Sequence, residues 1–238
     1  MNKLGKVILS AALSIMMAAT LAACSSDTNT INASTTSSTS EKDNTDDESG
    51  NKSDSVNDEN VSEESSVKDS DYLSGIHHAE IVVENYGTIY VELDADNTPI
   101  TVTNFVDLAN SGFYDGLTFM RVMEGFMIQG GDPNRDCTGG SDTTIKGEFA
   151  NNGVANNISH KRGTISMARA GYSMDSASSQ FFICNADAEF LDGDYAAFGT
   201  VTDGMDVVDA ITADFAAWNG VISNKDIQPV ITTIKIVD

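Results

Sequence analysis

Apolar residues fall in short runs along most of this chain. From Ala79 to Glu84 and from Gly87 to Leu93, apolar and polar positions alternate on either side of Asn85-Tyr86-Gly87, which predicts two strands joined by a tight turn. The period then lengthens. Ile100, Val102, Phe105, Val106, Leu108 and Ala109 recur at helical spacing, behind an Asn97-Thr98-Pro99 start signal and ahead of a Ser111-Gly112 stop. Two short apolar runs follow around Glu124-Gly125 and read as strand, turn, strand. Residues 132–158 are rich in Gly and Asn and weakly periodic, so they read as loop. The run from Gly204 to Ile211 predicts a second short helix, and Val230 to Val237 alternates as a last strand. Many short strands with two helices fit a closed antiparallel barrel.

The central stretch runs from Phe119 to Asp132. In a regular strand Met127 and Gln129 share one face, with Phe126 and Ile128 on the other. Arg121 sits among Phe, Met and Val. An arginine there keeps its charge and must find partners for its donors. A surface arginine at a barrel edge and a functional arginine are both compatible with this stretch alone.

The ends of the chain differ in kind. Residues 1–23 carry Lys3 and Lys6 and then an apolar run to Ala23, the pattern of a secretory signal. The run is short for a membrane span, which needs about 20 apolar residues. It ends Leu21-Ala22-Ala23-Cys24, which resembles a bacterial lipoprotein box with Cys24 as the lipid-bearing residue; an ordinary signal peptide with an incidental cysteine is the competing reading. Residues 24–75 hold few large apolar side chains, Ser and Thr first and acids later. Such a segment cannot offset its chain entropy by burial and predicts a disordered tether. Residues 76–238 are long enough for one domain with its own core.

Charge narrows the partners. There are 36 acids against 13 Lys and Arg, a formal net charge of −23, which disfavours nucleic acid. The usual catalytic machinery is missing. His77, His78 and His160 lack metal-ligand company, Ser178 and Ser179 lie in no nucleophile-elbow pattern, and Asp132 and Asp192 read as loop or turn acids. No cofactor and no metal are expected. Cys184 reads as a buried strand thiol, and a disulfide to Cys137 is left open.

Three further stretches carry a resemblance: Phe126 to Asp132 (FMIQGGD), Ile165 to Ala170 (ISMARA) with Ser178 to Ile183 (SSQFFI), and Phe190 to Gly193 (FLDG). In this order they resemble the cyclophilin family of peptidyl-prolyl cis-trans isomerases, from about Ala79 to Asp238. The resemblance implies a mainly β fold, a closed eight-stranded antiparallel barrel capped by two α-helices. It implies isomerisation of X-Pro bonds in proline-containing polypeptides. It implies Arg121 as the donor to the proline nitrogen and Gln129 as its catalytic companion. Phe126, Met127, Phe182 and Leu191 would form the proline pocket, and Ala168, Ala170 and Gln180 would line the adjacent groove. With the leader, this predicts a monomeric isomerase anchored by lipid on the outer face of the cell membrane, assisting the folding of secreted or surface proteins.

Four positions depart from common family patterns. Phe190 stands where many eukaryotic members have Trp, which puts cyclosporin binding in question. Tyr195 stands in place of a His, and Arg169 in place of an Asn whose contact is through backbone. Cys137 stands in place of a small loop residue. Residues 171–177 are also slightly longer than in eukaryotic members. A proline-binding module without turnover is the alternative from another class, and a solute-binding lipoprotein is a weaker one.

Overall fold

The computed structural model describes residues 72–215 and 220–238. The expected signal peptide, Cys24 and most of the tether lie outside the described residues. Near the start of the described residues, Leu73 packs against the core and its N–H donates to Thr103 Oγ1, while the Gly75 N–H donates to Asp96.

Strands β1 (Ile76–Val83) and β2 (Gly87–Asp94) form the expected hairpin, paired from Ile76 opposite Asp94 to Val83 opposite Gly87. Its turn puts Asn85 at φ 64°, a left-handed conformation that Asn tolerates better than most residues. Helix α1 (Pro99–Asn110) follows, then β3 (Phe119–Met123), β4 (Met127–Gly130), β5 (Thr164–Met167), β6 (Phe181–Cys184) and β7 (Ala197–Asp203). Helix α2 (Met205–Phe215), β8 (Gly220–Val221) and β9 (Ile231–Ile236) complete the chain. Helix α2 thus runs beyond the Ile211 expected for it. Among the described residues no helix is long and apolar enough to cross a membrane.

The strands form one curled antiparallel sheet in the order β8-β3-β4-β6-β5-β7-β2-β1-β9. This differs from the expected closed eight-stranded barrel in two respects. The ninth strand is the two-residue β8, which pairs with β3 at Arg121 and Val122. At the seam the segment before β3 meets the start of β9 through an isolated bridge, Thr118 to Val230, flanked by backbone bonds from Gly116 N–H to the Ile231 carbonyl, Ile231 N–H to the Leu117 carbonyl and Phe119 N–H to the Pro229 carbonyl, but without a ladder along the strands. The chain leaves α1 through a turn and reaches strand geometry only at Phe119, so few residues remain to pair with β9.

The faces of the sheet have different fates. Val122, Ile128, Ile183 and Ile165 lie opposite one another across β3, β4, β6 and β5, and all belong to the main core. Phe105 of α1 enters that core beside Tyr114, Phe181 and Phe198, with ring centres 5.2–5.5 Å apart. Each such buried side chain is worth about 1.5–3 kcal/mol relative to exposure. Neighbouring positions along the same strands point to the opposite face, which carries the site.

The start of α1 is capped from a distance. Thr98 occupies the cap position without a capping side-chain bond. Instead the buried Glu148 carboxylate accepts from the Ile100 N–H at 3.1 Å, the Thr101 N–H at 2.8 Å and Thr101 Oγ1 at 2.6 Å. A carboxylate complements the positive end of the helix dipole, and here it also ties the long loop to the helix. Glu148→Ala strands these donors and is expected to cost about 1–3 kcal/mol, at about 2–4 °C in Tm per kcal/mol for a domain of this size. Burial raises the Glu148 pKa, against the pull of the Thr101 and Ile100 donors. A carboxyl whose pKa is higher folded than unfolded stabilises fully below its unfolded value, about 4.3, and loses that contribution as pH rises through the folded value. The stability advantage of wild type over Glu148→Gln therefore shrinks as pH rises from about 4. Denaturant titrations across pH test this, and an advantage that grows with pH contradicts it.

Candidate active site

Register builds the site. Arg121 on β3 lies opposite Gln129 on β4, Gln129 opposite Phe182 on β6, and Phe182 opposite Ser166 on β5. Directly opposed residues of antiparallel strands share a face, so this row crosses four strands on the side away from the main core. Two residues along, Met123, Met127 and Cys184 form a parallel row. A register shift at Met120 allows Phe119 to face inward while Arg121 faces outward.

The polar members of the site bond in series. Arg121 Nη1 donates to Gln129 Oε1 at 3.0 Å, Gln129 Nε2 to Gln180 Oε1 at 2.8 Å, and Gln180 Nε2 to the Gly139 carbonyl at 2.7 Å. Each amide accepts at one end and donates at the other, which fixes its orientation. Arg121 Nη2 also lies 3.0 Å from Met123 Sδ. Burial lowers the guanidinium pKa, with Cys137 and Tyr195 pulling it the other way. Among the described residues no carboxylate forms an ion pair with Arg121.

A groove of about 520 Å³ runs past this series, lined by Arg121, Gln129, Ala168, Ala170 and Gln180 with the loop around Gly139. The loop is organised by the fully buried Asp132. Its carboxylate accepts from the backbone N–H groups of Asn134, Asp136, Cys137 and Gly139 at 2.6–3.0 Å. A Cβ at Gly139 would sit 2.3 Å from Asp132 Oδ1 and 3.1 Å from the Asn134 backbone nitrogen, so a side chain there would disturb the Asp132 carboxylate; one at Gly140 would clash only with the rotatable Ser178 hydroxyl, at 2.3 Å. Cys137 lines the groove, and Cys184 is buried with its thiol pKa pushed up to about 12 by burial. They form no disulfide with each other.

Beside the groove, Phe126, Met127, Phe182 and Leu191 pack together with Cys184 and Ala188 into a second apolar cluster. Each of the four is at most 7% exposed. Ala168 and Tyr195 pack against it, and the Tyr195 ring stands edge-on to Phe182 at 6.1 Å. Phe190 is 65% exposed and lies 5.5 Å from the Phe126 ring. On the other side His160 stacks on Phe182 at 5.9 Å. His160 Nδ1 lies 2.7 Å from Asp192 Oδ1 and Nε2 3.0 Å from Ser166 Oγ. Burial lowers the His160 pKa against the opposing effect of Asp192, which favours the neutral ring; the neutral tautomer that fits both contacts donates from Nδ1 to the Asp192 carboxylate and accepts at Nε2 from Ser166.

The residues expected from the sequence therefore gather in one region, as a groove and an adjoining apolar cluster. Met127 and Gln129 share a face as expected. Phe126 does not take the face of Ile128. It precedes β4 in the turn at Gly125, φ 72°, and joins Met127 in the small cluster. The sequence reading missed the carbonyl of Gly139, the support from His160 and the role of Arg169. Arg169 lies over the rings of Tyr195 and Phe149, partners 26 and 20 positions away in the chain, which no local pattern announces. Among the described residues no group of three or more His, Cys, Asp or Glu is placed to hold a metal ion.

Comparison with known proteins adds the family. The model for "Cyclophilin type peptidyl-prolyl cis-trans isomerase/CLD" matches residues 78–237. A peptidyl-prolyl cis-trans isomerase of Helicobacter pylori (strain ATCC 700392 / 26695) is 47% identical over 129 residues, 53% of this chain and 76% of the relative. Peptidyl-prolyl cis-trans isomerase A of Dickeya dadantii (strain 3937) is 43% identical over 164 residues, 66% of this chain and 83% of the relative. A crystal structure of a Cryptosporidium parvum cyclophilin type peptidyl-prolyl cis-trans isomerase superposes with a TM-score of 0.60 at 28% identity, covering 69% of this chain and 99% of the other. With a matching family model over its folded body and relatives of the same name across most of their length, this chain belongs to the cyclophilin-type peptidyl-prolyl cis-trans isomerases.

Proposed function

We propose that Arg121 is the donor that lowers the barrier to X-Pro rotation, and that a lipid on Cys24 holds this isomerase at the outer face of the cell membrane, where it assists the folding of secreted or surface proteins. The observation that carries the catalytic part is the setting of Arg121, a half-buried guanidinium oriented by Gln129, with no carboxylate partner among the described residues, between the groove and the apolar cluster.

Rotation about a peptide bond meets a barrier of about 18–20 kcal/mol from amide resonance, although the X-Pro isomers differ by only about 0.5–1 kcal/mol. The twisted amide has lost that resonance, and its nitrogen is pyramidal and basic. A fixed donor stabilises this state more than either planar isomer, which is differential binding of the transition state. Gln129 holds the guanidinium in place, so little reorientation is needed as the bond twists. Phe126, Met127, Phe182 and Leu191 present the apolar surface against which the pyrrolidine ring packs, with Tyr195 and Phe190 at its edge. Ala168, Ala170 and Gln180 meet the residues before proline. No bond is made or broken and no proton is transferred. The leader and the Leu21-Ala22-Ala23-Cys24 sequence support the anchoring, and two or more acyl chains give stable attachment.

Arg121→Ala is expected to lower kcat/KM by roughly ten- to a hundred-and-fifty-fold, the equivalent of losing a charged hydrogen bond of about 1.5–3 kcal/mol. Arg121→Lys should recover little, because an ammonium lacks the planar fork. Near-normal turnover of proline peptides by Arg121→Ala would show that the donor lies elsewhere.

Turnover should vary little between about pH 6 and 8.5, since the proposed chemistry uses no acid–base pair. His160, the histidine behind Phe182, has its pKa lowered from the ordinary 6.5 by burial, against the opposing effect of Asp192, and no step of this mechanism uses its proton. A bell-shaped profile would reveal a titrating group that this mechanism lacks.

In the full-length protein, Cys24→Ala should move the enzyme from the membrane to the soluble fraction with its turnover intact. Fractionation with a peptide assay on each fraction is the measurement, and a mutant that remains in the membrane would make the apolar leader itself the anchor.

A further inference from the structure

Arg169 lies between the two halves of the site and touches both. Its Nε donates to the Asp194 carbonyl at 2.8 Å, and its Nη1 to the carbonyls of Ala170 and Ser173 at 3.3 Å each. Its Cζ is 4.8 Å from the centre of the Tyr195 ring and 5.3 Å from that of Phe149. The chain holds 36 acids to 13 Lys and Arg, so a merely solubilising arginine would readily find a carboxylate. Among the described residues Arg169 forms no ion pair, and its partners are carbonyls and rings.

Those partners belong to opposite walls. Arg169 itself lines the groove with Ala170 and Tyr172, and Tyr172 is 89% exposed at its rim. The short loop that carries them is tied by Ser176 Oγ, which accepts from the Ala170 N–H and bonds the Ser173 carbonyl, both at 2.9 Å. Asp194 and Tyr195 belong to the other wall, that of the adjoining apolar cluster rather than of the groove, where Tyr195 packs edge-on to Phe182. The Ala170 and Ser173 carbonyls on one side and the Asp194 carbonyl and Tyr195 ring on the other meet at Arg169, whose second ring contact, Phe149, belongs to the main core.

We infer that Arg169 is a positioning residue that locks the groove loop to the wall bearing Tyr195, and so sets how tightly the residues preceding proline are held. The inference rests on the site assignment made above. Arg169 shares no hydrogen bond with the series Arg121, Gln129, Gln180 and Gly139. Its loss therefore loosens substrate binding while leaving the donor to the twisted amide in place.

The test is steady-state kinetics on two proline peptides, one a capped X-Pro dipeptide and the other carrying several residues before X-Pro. Arg169→Ala is expected to raise KM for the longer peptide roughly three- to tenfold with kcat little changed, and to affect the dipeptide less. Arg169→Lys should restore part of the loss, since an ammonium over the rings cannot also reach the carbonyls on both walls. Tyr195→Leu should raise KM for both peptides, since its ring also edges the proline surface, and for the longer peptide the double variant should show less than the product of the two effects. If Arg169→Ala does not fold, Arg169→Lys carries the same reading, with KM for the longer peptide raised and kcat retained. Unchanged KM in the folded variants, an equal loss in kcat, or a multiplicative double variant overturns the inference. Loss of turnover in Arg121→Ala together with unchanged KM in Arg169→Ala would keep the site assignment and sink only this proposal. Unaltered turnover in Arg121→Ala would sink the site assignment itself.

Discussion

The site depends on one constraint, the antiparallel register of β3, β4 and β6. That register sets Arg121 opposite Gln129 and Gln129 opposite Phe182, so a charged donor, its orienting amide and an apolar ring share one face. Slipping a strand by a single residue would move all its side chains to the opposite face. The inner face makes such a slip costly, because Val122, Ile128 and Ile183 would leave the main core. Packing on one side of the sheet therefore fixes chemistry on the other.

The partners chosen for Arg121 matter as much as its place. A carboxylate would satisfy a half-buried guanidinium well, but it would also neutralise the charge proposed to meet the twisted amide. Gln129 and the Met123 sulfur orient the group and leave its charge uncompensated. Gln129 is in turn held by Gln180, and Gln180 by the Gly139 carbonyl. That carbonyl is fixed by a loop whose N–H groups converge on Asp132. The rigidity of the donor thus originates in a buried acid that the sequence presents only as a loop residue.

How much was legible follows from how local each signal is. The β1–β2 hairpin, helix α1 and the face shared by Met127 and Gln129 rest on spacings of a few residues, and they form as the pattern predicts. The side of Phe126 was misjudged because the strand starts one residue later, after the Gly125 turn. The helix start at Pro99 is visible, but its cap, Glu148, is 47 residues distant from Thr101. The two-residue β8 pairs with β3 only because that edge is available, and no pattern marks it. Motif resemblance pointed to the residues that gather at the groove and the apolar cluster; it could not point to the braces around them. Arg169 was read through a family position whose contact is by backbone, whereas its side chain makes the contacts seen here.

The row Ser166, His160 and Asp192 shows why geometry must be weighed with exposure. Their hydrogen bonds, 3.0 Å and 2.7 Å, have the order of a nucleophilic triad. In such a triad the serine must meet substrate and the acid is the buried member. Here Ser166 and His160 are fully buried and Asp192 is exposed, so the hydroxyl cannot reach a scissile bond. The burial that lowers the His160 pKa also favours the neutral ring, and its flat face lies 15° from parallel with Phe182. The same three bonded groups that would cleave a bond if turned outward serve, turned inward, as a fixed backing for the ring that is proposed to receive proline.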